Sequence, residues 1–264
     1  MRQHKGSIAL GDEFSMTSDE NAIRKAVKDH YVQLARTGSK GSSCCGPKQV
    51  PQDDTLTEAR EVYAGCGSPV EAAGIKKGEV VVDLGSGGGY DVLRTSKLVG
   101  ESGLVIGVDA TPEMIWRARE TAKKLQFSNV DFRLGEIEHI PVDSGSADVV
   151  MSNCVINLAP DKSAVFRDAF RILKPGGRLV VSDMVAQSQS NLNRGDLNSW
   201  AECLAGAIPK AEYVDLIKEA GFAEVQVAQS VEDIDAKEDQ SCCRTDVESV
   251  TVTAAKPNRS SGKQ

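Results

Sequence analysis

Cysteine is the residue type in this chain with the most chemistry to offer. Seven occur: Cys44, Cys45, Cys66, Cys154, Cys203, Cys242 and Cys243. Residues 1–18 are polar and broken by Gly and charge, without the apolar core of an export signal, so the expectation is a cytoplasmic chain whose cysteines live as thiols. In a reducing compartment, thiols are more often metal-binding, catalytic or buried than bridged. A zinc ribbon would show paired Cys-x-x-Cys spacing, and none of the seven forms such a pair. Histidine, the usual general base, is scarce: His4, His30 and His139 are the three present, and none falls in a segment expected at a catalytic edge.

A second constellation is Asp83-Leu84-Gly85-Ser86-Gly87-Gly88-Gly89, directly after an apolar run and directly before a helical one. Backbone can approach a ligand closely there only where no Cβ intervenes. A dinucleotide fingerprint would place a third glycine where Tyr90 stands, whereas Asp83, Gly85, Gly87 and Gly89 follow D-x-G-x-G-x-G. That spacing resembles the first motif of class I methyltransferases. The resemblance implies S-adenosylmethionine as cofactor, cradled by Asp83, Gly85, Ser86 and Gly87, with its methionine carboxylate against backbone N–H groups. Asp109 ends the next strand, about 20 residues on, where a carboxylate accepts hydrogen bonds from both ribose hydroxyls. In Gly135-Glu136-Ile137-Glu138 the resemblance gives the adenine amino group to Glu136 and a backbone contact to Ile137. Ala110 and Asn153 complete the expected cofactor set, and Met114 either lines the adenine site or packs in the core.

These residues need a frame, and the hydrophobic pattern supplies one. A helix is predicted over residues 19–37, with Ser18 as N-cap and Ile23, Ala26, Val27, Tyr31 and Leu34 at helical spacing. Residues 38–51, rich in Gly, Ser, Lys and Pro, form an arm bearing Cys44 and Cys45. From Gly78 onward, short β-branched runs alternate with helical stretches, the signature of strand-helix units feeding a parallel sheet. Strands are predicted at 79–84, 104–109, 130–134, 148–152, 178–183 and 224–228, and helices near 90–99, 112–126, 162–173 and 210–220. The Lys174-Pro175-Gly176-Gly177 turn ends the third of these helices. A seventh strand, 249–254, follows the sixth closely enough to imply a hairpin and an antiparallel edge. The expected fold class is α/β: a Rossmann-like class I methyltransferase sheet of seven strands, the last antiparallel, with an N-terminal helical arm and a lid segment after strand 5. The expected divisions are a helix and cysteine-bearing arm (1–66), the cofactor domain (67–183), an acceptor-binding lid with the C-terminal strands (184–256) and a polar tail (257–264).

Composition narrows the partners. With 264 residues, 40% of them hydrophobic, the chain can bury a sizeable core. Its 31 Lys and Arg against 38 Asp and Glu leave a net charge of -7, with no concentrated basic stretch, which argues against a nucleic-acid partner. No apolar run approaches a membrane span.

The scaffold alone does not reveal the methyl acceptor. Cysteine stands where a base would be expected: Cys154 lies just past the fourth strand in Ser152-Asn153-Cys154-Val155-Ile156-Asn157-Leu158, and Cys203 lies in Trp200-Ala201-Glu202-Cys203-Leu204-Ala205-Gly206-Ala207, which can cover the same edge. These segments resemble the arsenite methyltransferase family, as do Ala64-Gly65-Cys66-Gly67, Val108-Asp109-Ala110-Thr111-Pro112-Glu113-Met114, Leu134 to Glu138 and Ala254-Ala255-Lys256-Pro257. The likeness runs from about residue 20 to about residue 230, and four family cysteines correspond to one of Cys44 and Cys45, then Cys66, Cys154 and Cys203.

The resemblance implies methylation of arsenite and methylarsenite by a monomeric, cytoplasmic enzyme. Trivalent arsenic is thiophilic and keeps a lone pair that can attack a sulfonium methyl without a general base. Cys154 and Cys203 would hold it, while Cys66 and the arm cysteine would add a third thiolate and later form a disulfide, reset by thioredoxin or glutathione. Cys242 and Cys243 read either as an arsenite-capturing pair or as an exposed pair without a role. Rival readings are a quinone-type C-methyltransferase and a non-catalytic thiol sensor of soft metals.

Overall fold

The computed structural model describes residues 12–38, 53–187, 192–229 and 246–258, with side chains from residue 20 onward in the first segment. Cys44, Cys45, Cys242 and Cys243 lie outside the described residues. In chain order the elements are α1 (Asp12–Thr37), α2 (Thr57–Arg60), α3 (Pro69–Ala72), β1 (Val80–Leu84), α4 (Tyr90–Val99), β2 (Leu104–Asp109), α5 (Pro112–Lys124), β3 (Val130–Leu134), β4 (Ala147–Asn153), α6 (Lys162–Ile172), β5 (Leu173–Ala186), α7 (Leu197–Ala201), α8 (Lys210–Glu219), β6 (Ala223–Gln229) and β7 (Val247–Ala255). Among the described residues no helix is long and apolar enough to cross a membrane.

The strands form one sheet in the order β3-β2-β1-β4-β5-β7-β6. The first five are mutually parallel, and β7 runs antiparallel to both its neighbours. This is the Rossmann-like sheet of class I methyltransferases. Strand β1 reads Val-Val-Val-Asp-Leu and is buried at every position but its first, because a strand covered on both faces has no solvent side to alternate with. One face is packed by α6 and α8 through Phe166, Ile172, Tyr213 and Ile217. The other is packed by α4 and α5 through Val92, Leu93, Ile115 and Ala118. Progression from β1 goes to β2 on one side and to β4 on the other, so a crevice opens at the carboxyl ends of β1 and β4, where ligands of such sheets bind.

Three expectations need correcting. The seventh strand pairs with the sixth as a hairpin would, but it is not the edge: β7 is inserted between β5 and β6, and β6 is the edge strand. Burial explains the order, since Val250, Val252 and Ala254 of β7 are buried whereas β6 is largely exposed and carries an irregularity beside Glu224 (φ 53°), as edge strands tolerate. The Lys174-Pro175-Gly176-Gly177 segment does follow the end of α6, but it bulges out inside β5. Pairing with β4 jumps from Ala147↔Leu173 to Val149↔Arg178. Helix α1 starts at Asp12 rather than at residue 19 and lies against α5 and α7, with Ile23 packed on Trp200 and Ala205.

Candidate active site

The glycine turn between β1 and α4 is built as its residues require. The N–H groups of Gly85 and Ser86 both donate to the Val108 carbonyl, at 2.8 and 3.0 Å, tying the turn to β2. Gly85 has φ 70°, and a Cβ there would lie 2.2 Å from Val155, so no other residue fits. Gly87 has φ 51° and open space where a Cβ would stand, which leaves its backbone bare toward the crevice.

Carboxylates ring this turn. Asp109 accepts from Gly87 N–H at 2.9 Å and from Thr111 N–H at 2.8 Å, which fixes its plane. Asp83 and Asp91 are 3% and 4% exposed. Burial raises the pKa of each of the three, and the neighbouring acids Asp91 and Asp109 add to the effect at Asp83. A cationic ligand offsets that penalty, and S-adenosylmethionine carries an ammonium and a sulfonium. The buried Ser86 hydroxyl, which has no hydrogen-bond partner among the described residues, is a second mark of a polar ligand at this turn. The donor set and the bare backbone fit that cofactor.

The other expected cofactor residues border the same crevice: Ala110, Met114, Glu136, Ile137 and Asn153 all line it. Met114 also packs in the core, with Ala35 and Val62, at 1% exposure. Asn153 is engaged on every side. Its Oδ1 accepts from the N–H groups of Cys66 and Gly67, and its Nδ2 donates to the Gly67 carbonyl and to Asp91 Oδ2. It therefore positions the Cys66 loop and Asp91 together. Glu136 is half exposed and lies 3.7 Å from Arg24 of α1, whose guanidinium also reaches the buried Glu138 at 2.9 Å.

Cys66, Cys154 and Cys203 come from three distant parts of the chain into one buried cluster with Leu158, and none is in a disulfide. Val27, Tyr31 and Met184 pack against it. Cys154 and Cys203 both adopt left-handed backbone, at φ 58° and 64°. That conformation costs a non-glycine residue roughly 1–2 kcal/mol, and strain of this kind gathers at functional sites. The Cys154 N–H donates to Ser182 O at 2.8 Å, and the Cys203 thiol donates to Cys154 O at 2.7 Å. Around Cys203, Trp200 Nε1 donates to the Leu158 carbonyl, and a Cβ on Gly206 would sit 2.0 Å from Asn157 O, so the α7 segment lies directly on the loop after β4. Cys154 also lines the cofactor crevice.

Several neighbours were not singled out by sequence. Tyr31 lines the crevice and packs on both the thiol cluster and the Met114 cluster; burial, then the adjoining Cys203, raises its pKa. Asp183, fully buried, accepts from Asn157 Nδ2 (2.9 Å), Met184 N–H (2.9 Å) and Tyr213 OH (3.1 Å), and burial lifts its pKa to about 6. Lys162 donates to the carbonyls of Asn157 and Ala159 beneath the Trp200 ring, and burial lowers its pKa to about 8. For Asp91 a signal existed in the sequence, an acid in the first turn of the helix that follows the glycine loop.

A methyltransferase domain model matches residues 75–221. The chain is 38% identical to an arsenite methyltransferase of Halobacterium salinarum, over 91% of this chain and 68% of that protein. It is 36% identical to one from Aquipseudomonas alcaligenes, over 78% and 64%, and 35% identical to the human one, over 76% and 58%. The chain thus spans about two thirds of the length of the first of these relatives and less of the others. Among solved structures it is similar to an arsenic(III) S-adenosylmethionine methyltransferase from Chlamydomonas reinhardtii, with a TM-score of 0.59 and 30% identity over 92% of this chain and 75% of that one.

Proposed function

Because the chain belongs to the arsenite methyltransferase family, we propose that it methylates trivalent arsenic held by Cys66, Cys154 and Cys203. The observation that carries this reading is the convergence of three buried thiols beside an acidic, glycine-lined crevice.

When bound, S-adenosylmethionine supplies an electrophilic methyl group on a sulfonium. Asp109 would accept from its ribose hydroxyls, Asp83 and Asp91 would balance its ammonium, and Glu136 with the Ile137 backbone would take its adenine. The thiols displace hydroxide from arsenite as water, each As–S bond replacing an As–O bond and each thiol proton leaving with the hydroxide. Leu158, Val27 and Tyr31 keep bulk water from the cluster. The arsenic lone pair would form the As–C bond as the sulfonium C–S bond broke, which leaves this chain's residues to position and dehydrate the reactants. That step takes arsenic formally to the pentavalent state. Two thiols, Cys66 and one of Cys44 and Cys45, return two electrons by joining as a disulfide, which a thioredoxin-like protein or glutathione then reduces. Methylarsenite re-enters by the same route. A carbon acceptor would have no use for three gathered thiols, which sets the quinone-type alternative aside.

The test is purified chain with arsenite, S-adenosylmethionine and thioredoxin or glutathione. S-adenosylhomocysteine release and methylated arsenic are expected, both lost in Cys154→Ser and Cys203→Ser. Turnover of an organic acceptor that survives both substitutions would refute the reading.

A further inference from the structure

The Sγ atoms of Cys66 and Cys154 and a carboxylate oxygen of Asp183 all lie within 4.8 Å of one another, with all three residues buried. Arsenic chemistry does not ask for the carboxylate. Trivalent arsenic takes three ligands in a pyramid and prefers sulfur, and its lone pair occupies the fourth direction. An oxygen donor beside two sulfurs is the mixed set of a borderline cation instead.

We propose that Cys66, Cys154 and Asp183 form a binding site for a thiophilic divalent cation, Zn2+ or Cd2+, which competes with trivalent arsenic for the same thiols. In a tetrahedral zinc site, Zn–S near 2.3 Å and Zn–O near 2.0–2.2 Å put the ligand atoms about 3.6–3.8 Å apart. Side-chain rotations of roughly an ångström close the observed triangle to that size. The three donors bring three negative charges to a dication when both thiols ionise, and each thiol proton leaves to solvent as its metal–sulfur bond forms. Asp183 is already oriented as a ligand should be. Asn157 and the Met184 N–H both donate to Oδ1 and Tyr213 donates to Oδ2, which holds the carboxylate in place and leaves Oδ2 a lone pair to give. Cys203, whose thiol rests on the Cys154 carbonyl, or a water, supplies the fourth position. A divalent cation here has no lone pair to offer a methyl group, so its occupancy silences the site while holding its thiolates against oxidation.

The site stands on geometry, and only its competitive role depends on the arsenic reading. The probe is Co2+, whose visible spectrum reports tetrahedral thiolate ligation, titrated anaerobically into full-length reduced protein carrying Cys44→Ser, Cys45→Ser, Cys242→Ser and Cys243→Ser. One equivalent is expected to bind with sulfur-to-cobalt charge-transfer bands. Cys66→Ser and Cys154→Ser should abolish those bands. Asp183→Asn should weaken cobalt binding by roughly tenfold or more, leave arsenite affinity unchanged and keep the wild-type circular dichroism. Should Asp183→Asn misfold, X-ray absorption on the zinc-loaded protein decides: oxygen and sulfur together in the first shell supports the site, and an all-sulfur shell overturns it. Arsenite should displace the cobalt, and simultaneous binding overturns the competition. Cobalt bound without any arsenic methylation would count against the proposed function and leave this site standing; methylation without cobalt binding would do the reverse.

Discussion

The Cys203 thiol donates a hydrogen bond of 2.7 Å to the backbone carbonyl of Cys154, and both residues hold left-handed backbone. The two thiols that sequence assigns to one substrate are thus joined across 49 residues of chain before any substrate arrives. The α7 segment and the loop after β4 each turn sharply to bring this about.

The strain makes a stability prediction. At an ordinary buried position, glycine is less stable than alanine by roughly 0.5–1 kcal/mol. At Cys154 and Cys203 the order should invert, with Cys154→Gly more stable than Cys154→Ala by about 1 kcal/mol in urea denaturation. Both variants should lack arsenic turnover. The ordinary order at both positions would show that the turns are relaxed.

The two glycines of the turn should separate fold from ligand. Gly85→Ala drives a methyl group into Val155 and should lower both thermal stability and S-adenosylmethionine affinity. Gly87→Ala meets nothing among the described residues, so only the positive-φ cost of roughly 1 kcal/mol is expected in stability. Gly87 lines the crevice, and calorimetry should find cofactor affinity reduced out of proportion to that cost. Full cofactor affinity in Gly87→Ala would mean the ligand does not lie on this backbone.

Much of this arrangement is legible in the sequence. Asp83 through Gly89 and Asp109 are read from spacing because strand, turn and helix are contiguous there, and the local pattern determines the local structure. Asp183 is different: nothing local marks it at the end of the predicted strand, and its partners include Asn157 and Tyr213, the latter thirty residues away. Tyr31 likewise reads as one more apolar position on a helix, and its place between the thiols and Met114 follows from how α1 docks. The position of β7 inside the sheet is set by side-chain burial against both neighbours, which a hydrophobic run alone does not specify.

Lys162 predicts a pH dependence. Burial lowers its pKa from 10.5 to about 8, so the folded state sheds this proton before the unfolded state does. Between pH 8 and 10 the unfolded chain binds more protons at this residue, and stability contributed by Lys162 rises with pH. Below pH 8 the burial penalty is present in full. Relative to Lys162→Met, wild-type protein should therefore gain stability as pH climbs from 8 to 10, read as the difference between two denaturation midpoints. A difference that is flat across that window would contradict the burial of its ammonium.

Tyr31 packs on the thiol cluster and walls the crevice. Tyr31→Phe keeps the ring and removes the hydroxyl beside the thiols, where a hydrogen bond to a substrate-bound thiolate would be worth roughly 1.5 kcal/mol. Turnover should fall about tenfold with cofactor affinity unchanged. An equal loss of cofactor affinity would assign Tyr31 to cofactor binding instead.

The central claim is that Cys66, Cys154 and Cys203 jointly bind the substrate, and arsenic X-ray absorption on arsenite-loaded protein addresses it most directly. With Cys44, Cys45, Cys242 and Cys243 all replaced by serine, the first shell should contain three sulfurs, falling to two sulfurs and one oxygen in Cys154→Ser. A shell of oxygen alone, or one that Cys154→Ser does not change, would contradict the account.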